Sequence, residues 1–272
     1  MTKGLAINSP KLIALDMDGT LLDGDGQIPD PFWDLLGRAE LAGMTIAPAS
    51  GRQLATLQHM FSVTNTRPHT YIAENGAVVW HKGEVVSQKR MQRDVVLRIL
   101  EAVKSIDVGV HIVLCKADVS FTDEDMPVDV QTEVDKYYLA NRHTESVFDE
   151  VDTNVVKIAL FVETDSEKDA LPVIQEVASD YTIAVSSKHW LDVMAPGVNK
   201  GVALHDLAKV LGIKQEDTAA IGDYLNDYDL LAAAGTAVAM ENAHPKLKEI
   251  ADEIADSNVN HGALKKIREW IG

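Results

Sequence analysis

Leu12-Ile13-Ala14-Leu15 runs without a polar interruption into Asp16-Met17-Asp18-Gly19-Thr20, and this stretch limits what the chain can become. Four apolar residues that end at carboxylates and a glycine read as a parallel strand buried on both faces, its C-terminal end opening onto a site. Side chains alternate along a strand, so Asp16 and Asp18 share a face while Met17 points away. Two carboxylates held together at a strand end can divide their labour, one attacking while the other moves protons.

Such a strand needs neighbours, and the sequence supplies them in β, α, β, α, β order. Asp30-Pro31 reads as a helix N-cap with a first-turn proline, opening a helix through Phe32, Leu35, Leu36 and Leu41 that stops near Gly43. A strand at 44–47 ends at Ala49-Ser50-Gly51-Arg52. A helix over 53–61 leads to a third strand at 71–73, ending at Glu74-Asn75-Gly76. This order is the signature of a parallel sheet with crossover helices.

The rhythm then changes. Lys82-Gly83 between 77–80 and 84–87 reads as a hairpin. A helix over 95–103 and a strand at 110–114 follow, then an acidic, proline-containing loop from Thr122 to Asp129. Next come a helix carrying Val134, Tyr137, Tyr138 and Leu139, a strand at 155–162, a helix from about Ser166, and strands near 182–185 and 191–194. This α+β section of about a hundred residues reads as an inserted domain. From Pro196 the first rhythm returns. Lys200 opens a helix closed by Gly212, the strand at 218–221 runs into Gly222-Asp223-Tyr224-Leu225-Asn226-Asp227, another strand spans 237–240, and the tail from Gly262 is helical.

Composition narrows the function. A net charge of −17 over 272 residues excludes a general nucleic-acid or anionic-membrane binder, and leaves room for a small anionic substrate met by a few local cations. A single cysteine, Cys115, rules out an intramolecular disulfide framework and suits a reducing compartment. No segment has the pattern of a signal peptide or the roughly 20 apolar residues of a membrane span, so the expected setting is cytoplasmic. The nine histidines show no paired metal spacing.

A parallel sheet gathers its strand ends at one edge, which would bring together Asp16, Asp18 and Thr20, Ser50-Gly51-Arg52, Lys200, and Asp223, Asn226 and Asp227. None of these stands well alone: each is a common turn, cap or solvated residue. Together they suit phosphoryl transfer, with carboxylates for a hard divalent cation and a hydroxyl and a lysine for phosphate oxygens.

Asp16-Met17-Asp18-Gly19-Thr20 resembles the DxDGT signature of the haloacid dehalogenase superfamily of phosphatases, and Ser50, Lys200 and Gly222-Asp223-x-x-Asn226-Asp227 match its other motifs in order. With Asn75-Gly76-Ala77, Gly197-Val198-Asn199-Lys200-Gly201, Val238-Ala239-Met240-Glu241-Asn242-Ala243 and the large insertion, the chain resembles the Cof-like sugar phosphatases. Asn260-His261-Gly262-Ala263 departs from the glycine-valine pair usual there. The resemblance implies a doubly wound, Rossmann-like α/β core at 1–85 and 191–272, with an α+β cap inserted at 86–190. It implies that Asp16 forms an aspartyl-phosphate and that Asp18 protonates the leaving oxygen and then activates water. Magnesium would be held by Asp16, the Asp18 carbonyl and Asp223, with Asp227 binding through water or orienting the shell. Thr20, Ser50, Gly51, Lys200 and Asn226 would meet the phosphoryl group.

The expected partner is a small phosphorylated metabolite, a sugar phosphate first, turned over by a monomer or small homo-oligomer. A phosphomutase and a non-catalytic phosphometabolite sensor are the alternatives. Arg52 divides between a core salt bridge and substrate contact. His189, Trp190, Tyr137 and Tyr138 divide between packing and the pocket.

Overall fold

The computed structural model describes residues 9–272. β1 (Leu12–Asp16) is buried along its whole length, and each fully buried leucine or isoleucine in it contributes about 1.5–3 kcal/mol. α1 (Pro31–Leu41) turns Phe32, Leu35, Leu36 and Ala39 inward. Pro31 opens this helix as expected, but Asp30 does not cap it. Its own backbone is already helical (φ −48°, ψ −40°) and its side chain makes no cap bond. The amide of Phe32 instead donates to the Pro29 carbonyl at 2.9 Å.

β2 (Thr45–Ala49), α2 (Leu54–Met60) and β3 (Thr70–Ala73) complete the alternating run. β4 (Val78–His81) and β5 (Glu84–Gln88) form the hairpin, with Lys82 and Gly83 both at positive φ, as a tight two-residue turn requires. Phe32, Trp33, Phe61, Tyr71 and Trp80 form a chain of ring contacts, with centroids 5.7 to 6.0 Å apart.

The middle section holds α3 (Arg93–Val103), β6 (Val110–Lys116), β7 (Ser120–Asp123), α4 (Val128–Asp135), β8 (Asn141–Thr144), β9 (Val155–Val162), α5 (Leu171–Val177), β10 (Thr182–Val185) and β11 (Trp190–Met194). The chain then returns through α6 (Lys200–Leu211), β12 (Thr218–Gly222), α7 (Tyr228–Ala233), β13 (Thr236–Met240), α8 (Pro245–Ile250), β14 (Glu253–Ala255) and α9 (Gly262–Ile271). Asn199 caps α6 by accepting from the Val202 amide at 2.8 Å, and Gly212 closes it in the left-handed region. Among the described residues no helix is long and apolar enough to cross a membrane.

Two sheets result. The first has the order β14-β13-β12-β1-β2-β3-β4-β5, parallel from β14 to β3, with an antiparallel hairpin at its edge. β1 lies at its centre, with Leu12 in register with Thr218 on one side and Thr45 on the other. The strand order reverses between β1 and β12, and a crevice at such a switch point is where open α/β sheets bind ligands. The second sheet, β10-β11-β9-β6-β7-β8, is antiparallel except for the β7–β8 pair.

Several details differ from the sequence reading. The division at 85/86 cuts through β5, whose Gln88 pairs with Val78 in the first sheet. The division at 190/191 cuts through β11, whose Leu191 pairs with Leu160 and Val185 in the second sheet. The acidic stretch from Thr122 to Asp129 is not one loop, because Thr122 and Asp123 belong to β7 and Val128 and Asp129 to α4. α4 ends at Asp135, so Tyr137 and Tyr138 lie past it and approach the first sheet. In that junction the Gln53 side chain bonds to the Ala140 amide at 2.8 Å and its carbonyl at 3.2 Å. The Thr56 hydroxyl donates to the Tyr137 carbonyl and accepts from the Leu139 amide, both at 2.9 Å.

Candidate active site

The parallel register sets the ends of β1, β2 and β12 side by side, since Asp16 lies opposite Ala49 and Leu15 opposite Ile221. Residues just beyond those ends line a cavity of about 480 Å³: Asp16, Asp18, Ser50, Gly51, Asp223 and Asn226. Its far wall comes from the second sheet's section, including Tyr137, Tyr138, Lys188 and Trp190.

Asp16 is buried, and its Oδ1 accepts from the Nζ of Lys200 at 2.6 Å. Lys200, the first residue of α6, also reaches Asp227 Oδ1 at 2.7 Å. Asp223 completes the group: carboxylate oxygens of Asp16, Asp223 and Asp227 lie within 4.8 Å of one another. Burial, then the charge of Asp227, pushes Asp16 well above the usual carboxylate range, with Lys200 pulling the other way. The same two causes push Asp223 up to about 7. Burial works against the charge of Lys200, but Asp16 and Asp227 outweigh it and hold the ammonium protonated.

Three carboxylates against one lysine leave a surplus of negative charge that raises its own proton affinity. A hard divalent cation relieves such crowding, and the all-oxygen donor set suits magnesium. The three residues therefore fit a metal.

Asp18 stands apart from this trio. Its carboxylate forms a bidentate pair with Arg52, one arm being Nη2 to Oδ1 at 2.9 Å, and its side chain is 59% exposed. Only the backbone carbonyl was expected to serve the metal, and the carboxylate is directed elsewhere. Gly19 follows at φ +74°, and a Cβ there would fall 2.3 Å from Asp223 Oδ2, so this close approach admits only glycine.

Thr20 is not brought to the cavity. It is buried, and its hydroxyl donates to Asp223 Oδ1 at 3.1 Å, so it orients a carboxylate rather than presenting itself to a phosphoryl group. Lys200 is likewise sealed beneath Asp16, 1% exposed. Ser50 Oγ accepts from the Arg52 amide at 3.2 Å, leaving its proton to donate into the cavity. Asn226 lines the cavity and lies 3.5 Å from Asn75 Oδ1. Asp227 Oδ2 accepts from the Asp223 amide at 3.1 Å, which fixes the turn after β12.

Arg52 pairs with Asp18 and also lines the cavity, with its guanidinium 4.9 Å over the Tyr137 ring. Trp190 packs between Tyr137, Tyr138 and Phe161 and also lines the cavity. Arg52 Nε and Trp190 Nε1 are buried donors with no acceptor among the described residues. His189 stays in the second sheet's section, stacked on Phe161.

Sequence reasoning missed a second buried charge cluster beside the site. Lys157 of β9 pairs with Glu74 at 2.5 Å, lies 3.5 Å from Asp192, and donates to the Gly51 carbonyl at 2.8 Å. Asp192 also accepts from Asn75 at 2.8 Å and Ser186 at 2.6 Å. One signal was available: Lys157 and Asp192 each interrupt an otherwise apolar strand, and a charge there is almost never buried unpaired. Asn242, read in the sequence only as part of a motif, donates to the Gly19 carbonyl at 2.8 Å.

Residues 13–267 match the haloacid dehalogenase-like hydrolase family. A relative from Streptococcus pyogenes serotype M6 is 31% identical, with 97% of this chain and 99% of the relative covered. The 5-amino-6-(5-phospho-D-ribitylamino)uracil phosphatase YcsE of Bacillus subtilis is 29% identical, with 96% of each covered. Among solved structures, a haloacid dehalogenase-like hydrolase from B. subtilis superposes with a TM-score of 0.83 at 26% identity, covering 95% of this chain and 99% of that one. The strand-end carboxylates, the central β1 and these likenesses over nearly the full length agree: the chain belongs to the haloacid dehalogenase-like hydrolases, as a phosphatase of their Cof-like branch.

Proposed function

We propose that this phosphatase is a magnesium-dependent, cytoplasmic enzyme that hydrolyses a small phosphorylated metabolite through an aspartyl-phosphate on Asp16. The observation that carries the reading is the division of the two β1 carboxylates. Asp16 is fixed by Lys200 inside the acidic cluster, whereas Asp18 faces the cavity with Arg52. Asp16 thus lies in the acidic cluster, where a bound cation would keep it ionised for attack, and Asp18 lies apart from that cluster at the cavity, where it can reach a leaving group.

An oxygen of Asp16 bonds to phosphorus as the bond from phosphorus to the leaving oxygen breaks, and Asp18, having first taken a proton from solvent, gives it to that oxygen. Water then attacks phosphorus, passing a proton to Asp18, and the bond to Asp16 breaks, which restores both carboxyl groups. A phosphoryl group in the cavity competes with Asp18 for the fork of Arg52, because guanidinium binds phosphate in two-point fashion, and Asp18 is thereby freed for proton transfer. Ser50 and Gly51 bind phosphoryl oxygens, Asn226 adds a hydrogen bond nearby, and Lys200 offsets charge through Asp16. Asp16, Asp223, Asp227 and the Asp18 carbonyl would hold magnesium, which when bound supplies neutralising charge to the phosphoryl oxygens.

The leaving group meets Tyr137, Trp190 and Lys188, whose hydroxyl and ammonium donors suit a substrate rich in acceptors. A sugar phosphate has that character, as does the phosphorylated ribityl chain in the name of the B. subtilis relative. The test is phosphate release with magnesium over sugar phosphates, nucleotides, pyridoxal phosphate and flavin mononucleotide, run beside Asp16→Asn. Release from at least one compound by the wild type alone supports the reading. Equal release by both proteins overturns it.

A further inference from the structure

We propose that Lys157 is a positioning residue, through which the second sheet sets the geometry of the Ser50–Arg52 turn. This rests on the phosphatase reading of that turn, and on a contact lying outside the acidic cluster.

The argument turns on one peptide unit. In a planar trans peptide the carbonyl and the following N–H point in opposite directions. The carbonyl of Gly51 is held by Lys157 Nζ at 2.8 Å, and the N–H of Arg52, at the other end of the same plane, is held by Ser50 Oγ at 3.2 Å. Clamping both ends fixes the plane. It also fixes the Ser50 hydroxyl as an acceptor on one side, so that its proton projects on another. The flanking backbone is tied to β3 and the turn after it: Ser50 N–H donates to Ile72 O at 2.9 Å, and Asn75 N–H to Ser50 O at 3.0 Å.

Lys157 comes from β9, in the second sheet, whereas Gly51 and Glu74 follow β2 and β3 of the first. Its ammonium is completely buried, and Glu74 and Asp192 flank it. A buried charge tolerates little displacement, so the second sheet's section cannot shift against the first without either carrying Gly51 along or breaking these bonds. The contact is reinforced on the same stretch by Gln53 and Thr56, which grip residues 137–140. The segment from Ser50 to Thr56 is thus both the phosphoryl-binding turn and the place where the two sheets are fastened.

The experiment compares Lys157→Met, Glu74→Gln and the double variant Glu74→Gln/Lys157→Met, with folding checked by thermal denaturation. The double variant removes the pair and leaves only Asp192, which Asn75 and Ser186 still hold, and it stands in if Lys157→Met does not fold. In the folded Lys157 variants, kcat/KM should fall at least tenfold, with inhibition by inorganic phosphate weakened in parallel. Glu74→Gln, which leaves Lys157 on Gly51, should stay within about threefold of wild type. Hydrogen exchange of a peptide spanning residues 48–53 should quicken in the Lys157 variants. A folded double variant with wild-type kcat, KM and exchange overturns the proposal, as does Glu74→Gln matching the Lys157 variants in lost activity. If the wild type releases no phosphate from any compound, the functional reading fails, and the exchange of 48–53 still decides the role of Lys157.

Discussion

Two lysines are sealed inside this protein within reach of the same cavity, and their surroundings differ in one respect. Lys200 lies among Asp16, Asp227 and Asp223, one positive charge against three carboxylates. Lys157 lies between Glu74 and Asp192, and Asp192 is further satisfied by Asn75 and Ser186. The second cluster sets one lysine against two carboxylates, and it reaches the site through the Gly51 carbonyl and through Asp192, which itself lines the cavity. In the first, with three, burial followed by the charge of Asp227 pushes both Asp16 and Asp223 to hold protons more tightly, whereas in the second it is chiefly burial that outweighs Lys157 at Glu74. Burial of charge serves structure where the partners suffice, and prepares chemistry where they do not.

The largest expected difference between the clusters is in turnover. Asp16→Asn keeps the side-chain shape and removes the proposed nucleophile, so phosphate release should fall by about 10⁴-fold or more with little change in melting temperature. Release within tenfold of wild type, in a folded variant, would move the nucleophile elsewhere. For Lys157→Met the first effect is on stability: removing one partner of a buried pair strands Glu74 and costs about 3–5 kcal/mol. Urea denaturation measures this directly, and adding Glu74→Gln should recover much of it.

The same contrast decides what could be read from the sequence. β1, β2 and β12 were legible because strands buried on both faces become apolar runs, and the site residues were legible because they follow those runs at one edge. Lys200 was legible from its place at the start of α6 after a matching motif. β8 (Asn141-Arg142-His143-Thr144) gave no such signal, since a polar edge strand lacks alternation. β14 is only three residues long, too short for a pattern to emerge. Lys157–Gly51 joins residues 106 apart, and Arg52–Asp18 depends on how a turn after β2 meets one after β1. Such pairings are set by tertiary placement. Thr20 shows the converse, a motif residue whose position was legible but whose hydroxyl bond to Asp223 was not.

Magnesium should separate the clusters at a smaller scale. An ion held by the native acidic group and absent from the unfolded chain stabilises by about 2.7 kcal/mol at a hundred times its dissociation constant. The melting temperature of the wild type should therefore rise with magnesium and return with a chelator. In Lys200→Met the rise should be larger, because the ion then offsets carboxylates that have lost their only cation. In Lys157→Met it should match the wild type. Equal rises in all three proteins would place the bound ion away from Asp16, Asp223 and Asp227.

The smallest effect calibrates the rest. Lys265 and Asp256 pair at 2.6 Å, the same separation as Lys200 and Asp16, but their side chains are 54% and 58% exposed. If proximity of charge were what made the buried lysines matter, Lys265→Met would be costly too. Water and salt screen an exposed pair, and holding two long side chains together consumes entropy, so such pairs are worth about 0–1 kcal/mol. Lys265→Met should shift the urea midpoint little, and any shift should shrink in high salt. A loss matching that of Lys157→Met would mean that burial is not the property separating these lysines.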